Sequence, residues 1–254
     1  MGGAELLEIM APALVAGLMI GAIHGPLGVE VLRRGIIFID LAIAQIAGLC
    51  VVLIDLLSHD APWTLRQVAA MGAALLAAAF FRRVERTLPK EQEAIIGACF
   101  ILAACGVLLA LANHPHGGEE IQDILSGQIL FVSWQEILAS APLYAGAAAL
   151  WFLWRRAREG IWFFAIFAVV VTASVQLVGI YVVFASLILP ALAVNALSRG
   201  RSVKAVYCGW AAVIVGIAAS TVSDLPAGPM LVFSYAAVAV AVRGFVRFGA
   251  RRVS

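Results

Sequence analysis

Asp40 is a carboxylate within an otherwise apolar stretch, and its chemistry most needs an explanation. The stretch LRRGIIFIDLAIAQIAG, residues 32–48, opens with Arg33 and Arg34 and is then apolar except for Asp40 and Gln45. A carboxylate in such a segment costs free energy unless it is paired or hydrated, so it marks a binding site or an ion pair. We therefore expect Asp40 to bind a cation, to pair with Arg33 or Arg34, which lie within about two helical turns, or to form a hydrogen bond with a neighbouring helix.

Two groups of acids and histidines in polar segments could bind a divalent cation. Asp55 and His59 are four residues apart, which places both side chains on one face of a helix. The segment HPHGGEEIQD contains His114, His116 and Glu119 in a glycine-rich loop. Carboxylate and imidazole groups are suitable ligands for Zn²⁺ and Mn²⁺. These five residues are candidate metal ligands, and the alternative is that they only solvate a helix end and a loop.

One further histidine, His24, lies inside the first apolar segment. It is either a further metal ligand or a hydrogen-bonded histidine in the core. The four cysteines also lie in apolar runs and show neither a CxxC pattern nor a cysteine–histidine spacing. We expect them to pack as small apolar residues, with no disulfide framework. No permanently bound cofactor is predicted.

The elements that must position these residues are long apolar segments. Of the 254 residues, 63% are hydrophobic and 13% are charged, whereas a soluble domain carries about 25% charged residues. Apolar runs of about 18 or more residues are long enough to cross a bilayer. The runs are roughly 9–30, 37–57, 65–81, 94–112, 138–154, 161–179, 182–197, 205–222 and 229–246. The sequence predicts an all-α polytopic transmembrane bundle of eight or nine spans, forming a single domain over residues 1–254.

The distribution of basic residues predicts the orientation of this bundle. Lysine and arginine concentrate on the cytoplasmic side of membrane proteins, and with nine crossings every basic residue except Arg66 falls in a segment assigned to that side. The N-terminus is then outside and the C-terminus cytoplasmic, in a multi-pass protein of the cytoplasmic membrane. Residues 161–197 are either two spans or one re-entrant element, with both ends inside in either case. The outer segments are acidic, which either suits the attraction of a cation or reflects only that outer loops are polar.

Several function classes are excluded by missing motifs. No glycine-rich phosphate loop with the Gly-Lys-Ser/Thr ending is present, so this chain does not hydrolyse ATP by that route. No His-Glu-x-x-His or Gly-x-Ser-x-Gly motif is present, which disfavours a protease or a lipase. No basic groove with interleaved aromatic residues indicates nucleic-acid binding.

Five stretches, in the same order along the chain, carry a resemblance to a known family. They are GPLGVEVLRRGIIFIDLAIAQIAGL, EQEAIIGACFILAACGVLLA, ILSGQILFVSWQEIL, VQLVGIYVVFASLILPALAVNAL and SDLPAGPMLVFSY. The chain resembles the membrane permease subunit of ABC-type zinc, manganese and iron importers. The resemblance covers nearly the whole chain, and it rests on the order of the five stretches more than on any one of them.

The resemblance implies a function and a set of partners. It implies a homodimeric permease that imports a divalent transition metal ion as cargo. Two cytoplasmic ATPase chains would dock on the inner loops, and an extracytoplasmic metal-binding protein would deliver the ion. Asp40 aligns with the family's metal-path aspartate, but the family's histidine four residues later is Ala44 here. His24 or Arg33 or Arg34 could complete the surroundings of Asp40.

A second departure from the family leaves alternative functions open. Family members carry a longer connection between the fifth and sixth spans, with a helix that couples to the ATPase, whereas WRRAREGIWFF leads almost directly from one span to the next here. Residues 82–93 or 199–204 could take over that coupling. The alternatives are a secondary carrier or channel that works without an ATPase, and a non-transporting membrane partner of a metal-handling system.

Overall fold

The structure is a computed structural model, and it describes residues 3–58, 61–111, 129–197, 199–223 and 225–251, with side chains described between residues 10 and 245. Its long helices are α1 (Gly3–Arg34), α2 (Ile39–Leu57), α3 (Trp63–Thr87), α4 (Gln92–Leu111), α5 (Trp134–Leu153), α6 (Gly160–Val178), α7 (Ile180–Val194), α8 (Arg201–Ser223) and α9 (Ala227–Arg251). Short 3-10 turns lie at Ile129–Phe131 and Arg155–Arg158. Each apolar run predicted from the sequence overlaps one of the long helices, which confirms the all-α fold class.

Eight of these helices are long and apolar enough to cross a membrane. The exception is α7, which has 15 residues and is therefore about 22 Å long at about 1.5 Å per residue, against a hydrocarbon core of about 30 Å. Gly179 separates α6 from α7 and has a φ of 78°, a backbone conformation that glycine adopts at little cost. Residues 161–197 thus form two helices, of which only the first has the length of a span.

The chain divides into two compact units, and the first contains residues 1–34, 126–148 and 177–254. Within it, α1 and α9 each pack against both α7 and α8. The contact of α1 is close because glycines face its neighbours: a Cβ atom on Gly28 would lie 1.9 Å from the carbonyl oxygen of Leu187, and one on Gly25 would lie 2.8 Å from the amide nitrogen of Val206. Small residues at such positions allow helix backbones to approach each other in membranes.

The second unit contains residues 35–125 and 149–176. In it α2 packs against both α3 and α4, and Val52, Val107 and Leu111 form part of the apolar contact between α2 and α4. Three aromatic rings on α6, those of Phe163, Phe164 and Phe167, are fully buried. The first turns of α2 and α4 carry the acidic residues described next.

Candidate functional site

Asp40 is buried in the first turn of α2. Its side chain is 2% exposed. The carboxylate lies near the backbone amides of Asp40 and Leu41, but neither of its oxygens makes a hydrogen bond of good geometry within the described residues. Its position next to the first amides of its own helix favours the ionised form, because the N-terminus of a helix carries a partial positive charge. Burial opposes that form, since an unpaired carboxylate is costly away from water. The carboxylate of Asp40 is therefore available to bind a cation or a proton.

Glu93, in the first turn of α4, brings a second carboxylate to the start of α2. The backbone N–H of Phe38 donates a hydrogen bond to Glu93 Oε1 at 3.2 Å, and Phe38 immediately precedes α2. The Glu93 carboxylate interacts electrostatically with that of Asp40. Its second oxygen, Oε2, is buried without a hydrogen-bond partner among the described residues. We call Asp40 and Glu93 the carboxylate pair.

The neighbouring Gln92 adds a further buried polar group at the first turn of α4. Its side chain is buried, and its Nε2 atom has no hydrogen-bond partner in the described part of the chain. Buried polar groups are almost always hydrogen-bonded in native proteins, so each exception calls for an explanation. Several unpartnered polar atoms at the adjacent starts of α2 and α4 indicate a site that receives something from outside the chain.

The arginines that the sequence offered as partners for Asp40 have a carboxylate on their own helix. Arg33 donates from Nε to Glu30 Oε2 at 2.8 Å, and Arg34 donates from Nε to Glu30 Oε1 at 2.7 Å. The spacings of three and four residues place these side chains on the same face of α1. The sequence analysis did not single out Glu30, although this spacing would have revealed it.

His24 is fully buried within the first unit and is hydrogen-bonded to Ser186 on α7. The distance from His24 Nδ1 to Ser186 Oγ is 2.7 Å. The Ser186 hydroxyl donates a hydrogen bond to the carbonyl oxygen of Val183 at 2.8 Å. Its oxygen therefore accepts the hydrogen bond from His24 Nδ1–H. This arrangement has the geometry of a hydrogen-bonded core histidine, and it fixes the ring between α1 and α7.

Asp55 forms an ion pair with Arg66, the basic residue that the sequence placed on the outer side. Arg66 Nε lies 2.6 Å from Asp55 Oδ1, and both side chains are more than one-third exposed. The pair joins the end of α2 to the start of α3. The sequence predicts that both residues lie on the outer side of the membrane, where the Asp55 carboxylate would compensate the charge of Arg66.

The remaining candidate ligands lie outside the described residues. They are His59, His114, His116 and Glu119. Among the residues that the structure does describe, no group of three or more histidine, cysteine or acidic side chains is placed to hold a metal ion together. The four cysteines, Cys50, Cys99, Cys105 and Cys208, are all free. Within the described residues, the carboxylate pair therefore belongs to no larger group of potential metal ligands.

The connection between α5 and α6 is short and tightly folded. Arg158 donates from Nε to the carbonyl oxygen of Trp151 at 2.9 Å, and Ala157 is fully buried. The rings of Trp154 and Trp162 pack edge to face with their centroids 5.1 Å apart. Arg155 and Arg156 are exposed. The connection between α5 and α6 thus consists of a single 3-10 turn and contains no longer helix.

Comparison with known proteins supports the interpretation reached from the residues. A family model described as the ABC 3 transport family matches residues 6–245, a range that includes all five stretches on which the resemblance was based, and the match confirms it. The fold is similar to that of a chain in the solved structure of PsaBC from Streptococcus pneumoniae in complex with Fab, with a TM-score of 0.74 and 16% sequence identity over 94% of each chain. No curated protein sequence matches this chain.

Proposed function

Because this chain belongs to the ABC 3 transport family, we propose that it is the transmembrane subunit of an ATP-driven importer of a divalent transition metal ion, namely zinc, manganese or iron. The chain is a multi-pass protein of the cytoplasmic membrane, and the residues that the structure describes include eight helices long and apolar enough to span it. The buried, unpartnered carboxylate of Asp40 is the observation that carries the proposal, because an ionisable group within a span marks an ion path by default.

Asp40 serves in this account as a cargo ligand inside the membrane domain. A transport site must bind the ion and then release it, so a small number of ligands is an advantage. A permanent zinc site uses four protein ligands, whereas Asp40 has only one further acid within electrostatic reach on α4. Water would complete the coordination of an ion in passage.

The outer residues would form the uptake port. Asp55, His59, His114, His116 and Glu119 offer carboxylate and imidazole ligands on the side that the sequence assigns to the exterior. Arg66 occupies the Asp55 carboxylate in the structure, but a partly exposed ion pair contributes only about 0–1 kcal/mol. A divalent cation can therefore displace Arg66 at little cost.

The proposed assembly contains several chains. Two copies of this chain form the permease, cytoplasmic ATPase subunits hydrolyse ATP, and an extracytoplasmic metal-binding protein delivers the ion. The inner ends of the helices carry the basic residues with which an ATPase would make contact. The connection at Arg155–Arg158 is a single turn. Residues 82–93 or 199–204 would therefore take over the coupling to the ATPase.

The second candidate function is a secondary carrier or channel that works without an ATPase. The short connection between α5 and α6 favours it, because that position in the family holds the coupling helix. The two candidates differ in their source of energy: the carrier moves metal down an ion gradient, whereas the importer depends strictly on ATP.

Co-purification with the ATPase and stimulation of ATP hydrolysis test the proposal. The full-length chain is co-expressed with the ATPase encoded nearest to it and reconstituted in liposomes with the cognate binding protein. Zn²⁺, Mn²⁺ or Fe²⁺ on the binding protein should stimulate ATP hydrolysis, and Mg²⁺ alone should not. An ATPase that fails to co-purify, together with metal flux that ignores ATP, would contradict the importer and favour the carrier.

A further inference from the structure

We propose that Glu93 is the second metal ligand of the Asp40 site, and that the carboxylate pair favours Zn²⁺ over Mn²⁺ less strongly than a site containing histidine would. The inference rests on the proposed function, because it concerns the cargo of the same path. The resemblance implies a histidine ligand at position 44, but this chain has Ala44 there. The inference is that Glu93 on α4 supplies the missing ligand.

The packing of the second unit brings the two acids together. Glu93 Oε1 accepts a hydrogen bond from the backbone N–H of Phe38, and Asp40 lies two residues further along. The first turns of α2 and α4 are therefore adjacent, and the two carboxylates interact electrostatically. Three of their four oxygens, both from Asp40 and Oε2 from Glu93, are buried without a hydrogen-bond partner among the described residues.

Two neighbouring carboxylates in an apolar setting need a compensating positive charge. Like charges at short range disfavour ionisation of both groups, and the N-terminus of α2 supplies only about half an elementary charge. A divalent cation bound by the pair would neutralise both negative charges. A bound cation thus accounts for the burial and for the missing hydrogen bonds together.

Helix capping by itself does not explain this arrangement. A cap needs one acceptor oxygen, and Glu93 Oε1 already provides it to Phe38. The Asp40 carboxylate takes no part in the hydrogen bond at Phe38, and its contacts with the amides of Asp40 and Leu41 do not require a second acid beside it. The two explanations differ in what they require of Glu93: capping requires an acceptor, whereas metal binding requires a negative charge.

The ligand atoms determine which ion the pair would prefer. Imidazole suits Zn²⁺, whereas carboxylate oxygens and water suit Mn²⁺. Ala44 offers no imidazole, and within the described residues no histidine or cysteine joins the pair to form a larger metal-binding group. A site built from carboxylates and water should therefore favour Zn²⁺ over Mn²⁺ by a smaller factor than a site containing histidine would.

Glu93→Gln separates the two explanations, because the glutamine oxygen can still accept the Phe38 hydrogen bond while the charge is lost. Mn²⁺ binding to the full-length chain in lipid nanodiscs is measured by electron paramagnetic resonance, with Zn²⁺ as competitor. Glu93→Gln and Asp40→Asn should each weaken Mn²⁺ binding at least ten-fold, and Glu93→Asp should weaken it less. Glu91→Gln is the matched control, since Glu91 is an exposed acid on the same segment, and it should bind as the wild type does.

Melting temperatures with and without Mn²⁺ exclude a purely structural role. The metal-free melting temperature of Glu93→Gln should stay close to that of the wild type, while the rise on adding Mn²⁺ should disappear. A large fall without metal, or unchanged Mn²⁺ binding, would overturn the inference. The binding and melting experiments contain no ATPase. A chain that binds Mn²⁺ at the carboxylate pair but does not import metal would therefore contradict the proposed function and leave this inference standing.

Discussion

The backbone N–H of Phe38 donates to the Glu93 carboxylate at 3.2 Å, so an acid from the start of α4 lies at the start of α2, beside Asp40. The contact joins two helix termini by a polar interaction in a unit whose other helix contacts are mainly apolar. Loss of this contact would free the first turn of α4 from that of α2. The predictions below separate the residues that bind cargo from those that hold the helices together.

Asp40→Asn should reduce metal uptake at least ten-fold, which corresponds to about 1.4 kcal/mol. The reason is that an amide keeps the size of the side chain but cannot neutralise a divalent cation. Gln45→Ala is the control, since Gln45 is a buried polar residue of the same helix and should reduce uptake less. Initial rates of uptake in proteoliposomes provide the measurement. Near-normal uptake by Asp40→Asn would mean that Asp40 is structural.

Replacement of Asp55 by Asn together with His59 by Ala should raise the metal concentration needed for half-maximal flux. The maximal rate should change little, because these residues act before the ion enters the membrane domain. Arg66→Gln serves as the opposite control: it removes the cation that lies 2.6 Å from Asp55, so it should lower that concentration or leave it unchanged. An unaltered concentration dependence in the double variant would assign both residues to solvation.

Ser186→Ala should lower the melting temperature without changing the metal dependence of transport. The hydroxyl oxygen accepts a hydrogen bond from His24, and loss of one partner of a buried hydrogen bond costs about 1–3 kcal/mol. Thermal unfolding and concentration-dependent uptake are measured on the same preparation. If half-maximal flux moved to higher metal concentration, His24 would belong to the metal path and not only to the core.

Gly28→Ala should destabilise the protein, because the added Cβ would lie 1.9 Å from the Leu187 carbonyl oxygen. Overpacking of this kind costs about 1–3 kcal/mol or more, and here the obstacle is backbone that cannot rotate away. Gly48→Ala is the matched control, since no atom lies within 4 Å of its added Cβ and alanine favours a helix. Melting temperatures in detergent compare the two; equal values would mean that α1 and α7 adjust without cost.

The fold followed from the sequence because membrane helices are marked by apolar length. Each predicted run overlaps a helix. The length of α7 was less predictable: the apolar run at 182–197 has a span's composition, but the helix covers only Ile180–Val194. Gly179 marked the break, and the number of residues that follow as helix depends on packing within the first unit.

The site was predicted in part. Asp40 stood out because a carboxylate in an apolar run has no ordinary explanation, but its neighbour Glu93 was missed because it looked like a solvated helix end. The predicted topology contained a signal, since the second and fourth spans both begin on the inner side and acids at both starts share that side. Which of them meet depends on α2 packing against α4, a tertiary contact that no local pattern encodes. The partner of Arg33 and Arg34 was local, at Glu30, and spacing alone would have found it.

ATP-dependent uptake of metal tests the central claim most directly. The full-length chain and its ATPase are reconstituted in liposomes, and the binding protein is added on the side of the permease's outer face. The liposomes are supplied with radioactive Mn²⁺ or Zn²⁺ and with either ATP or a non-hydrolysable analogue. The account predicts that metal accumulates against its gradient only with ATP, and that Asp40→Asn abolishes most of this accumulation. Equal accumulation with ATP and with the analogue would contradict it.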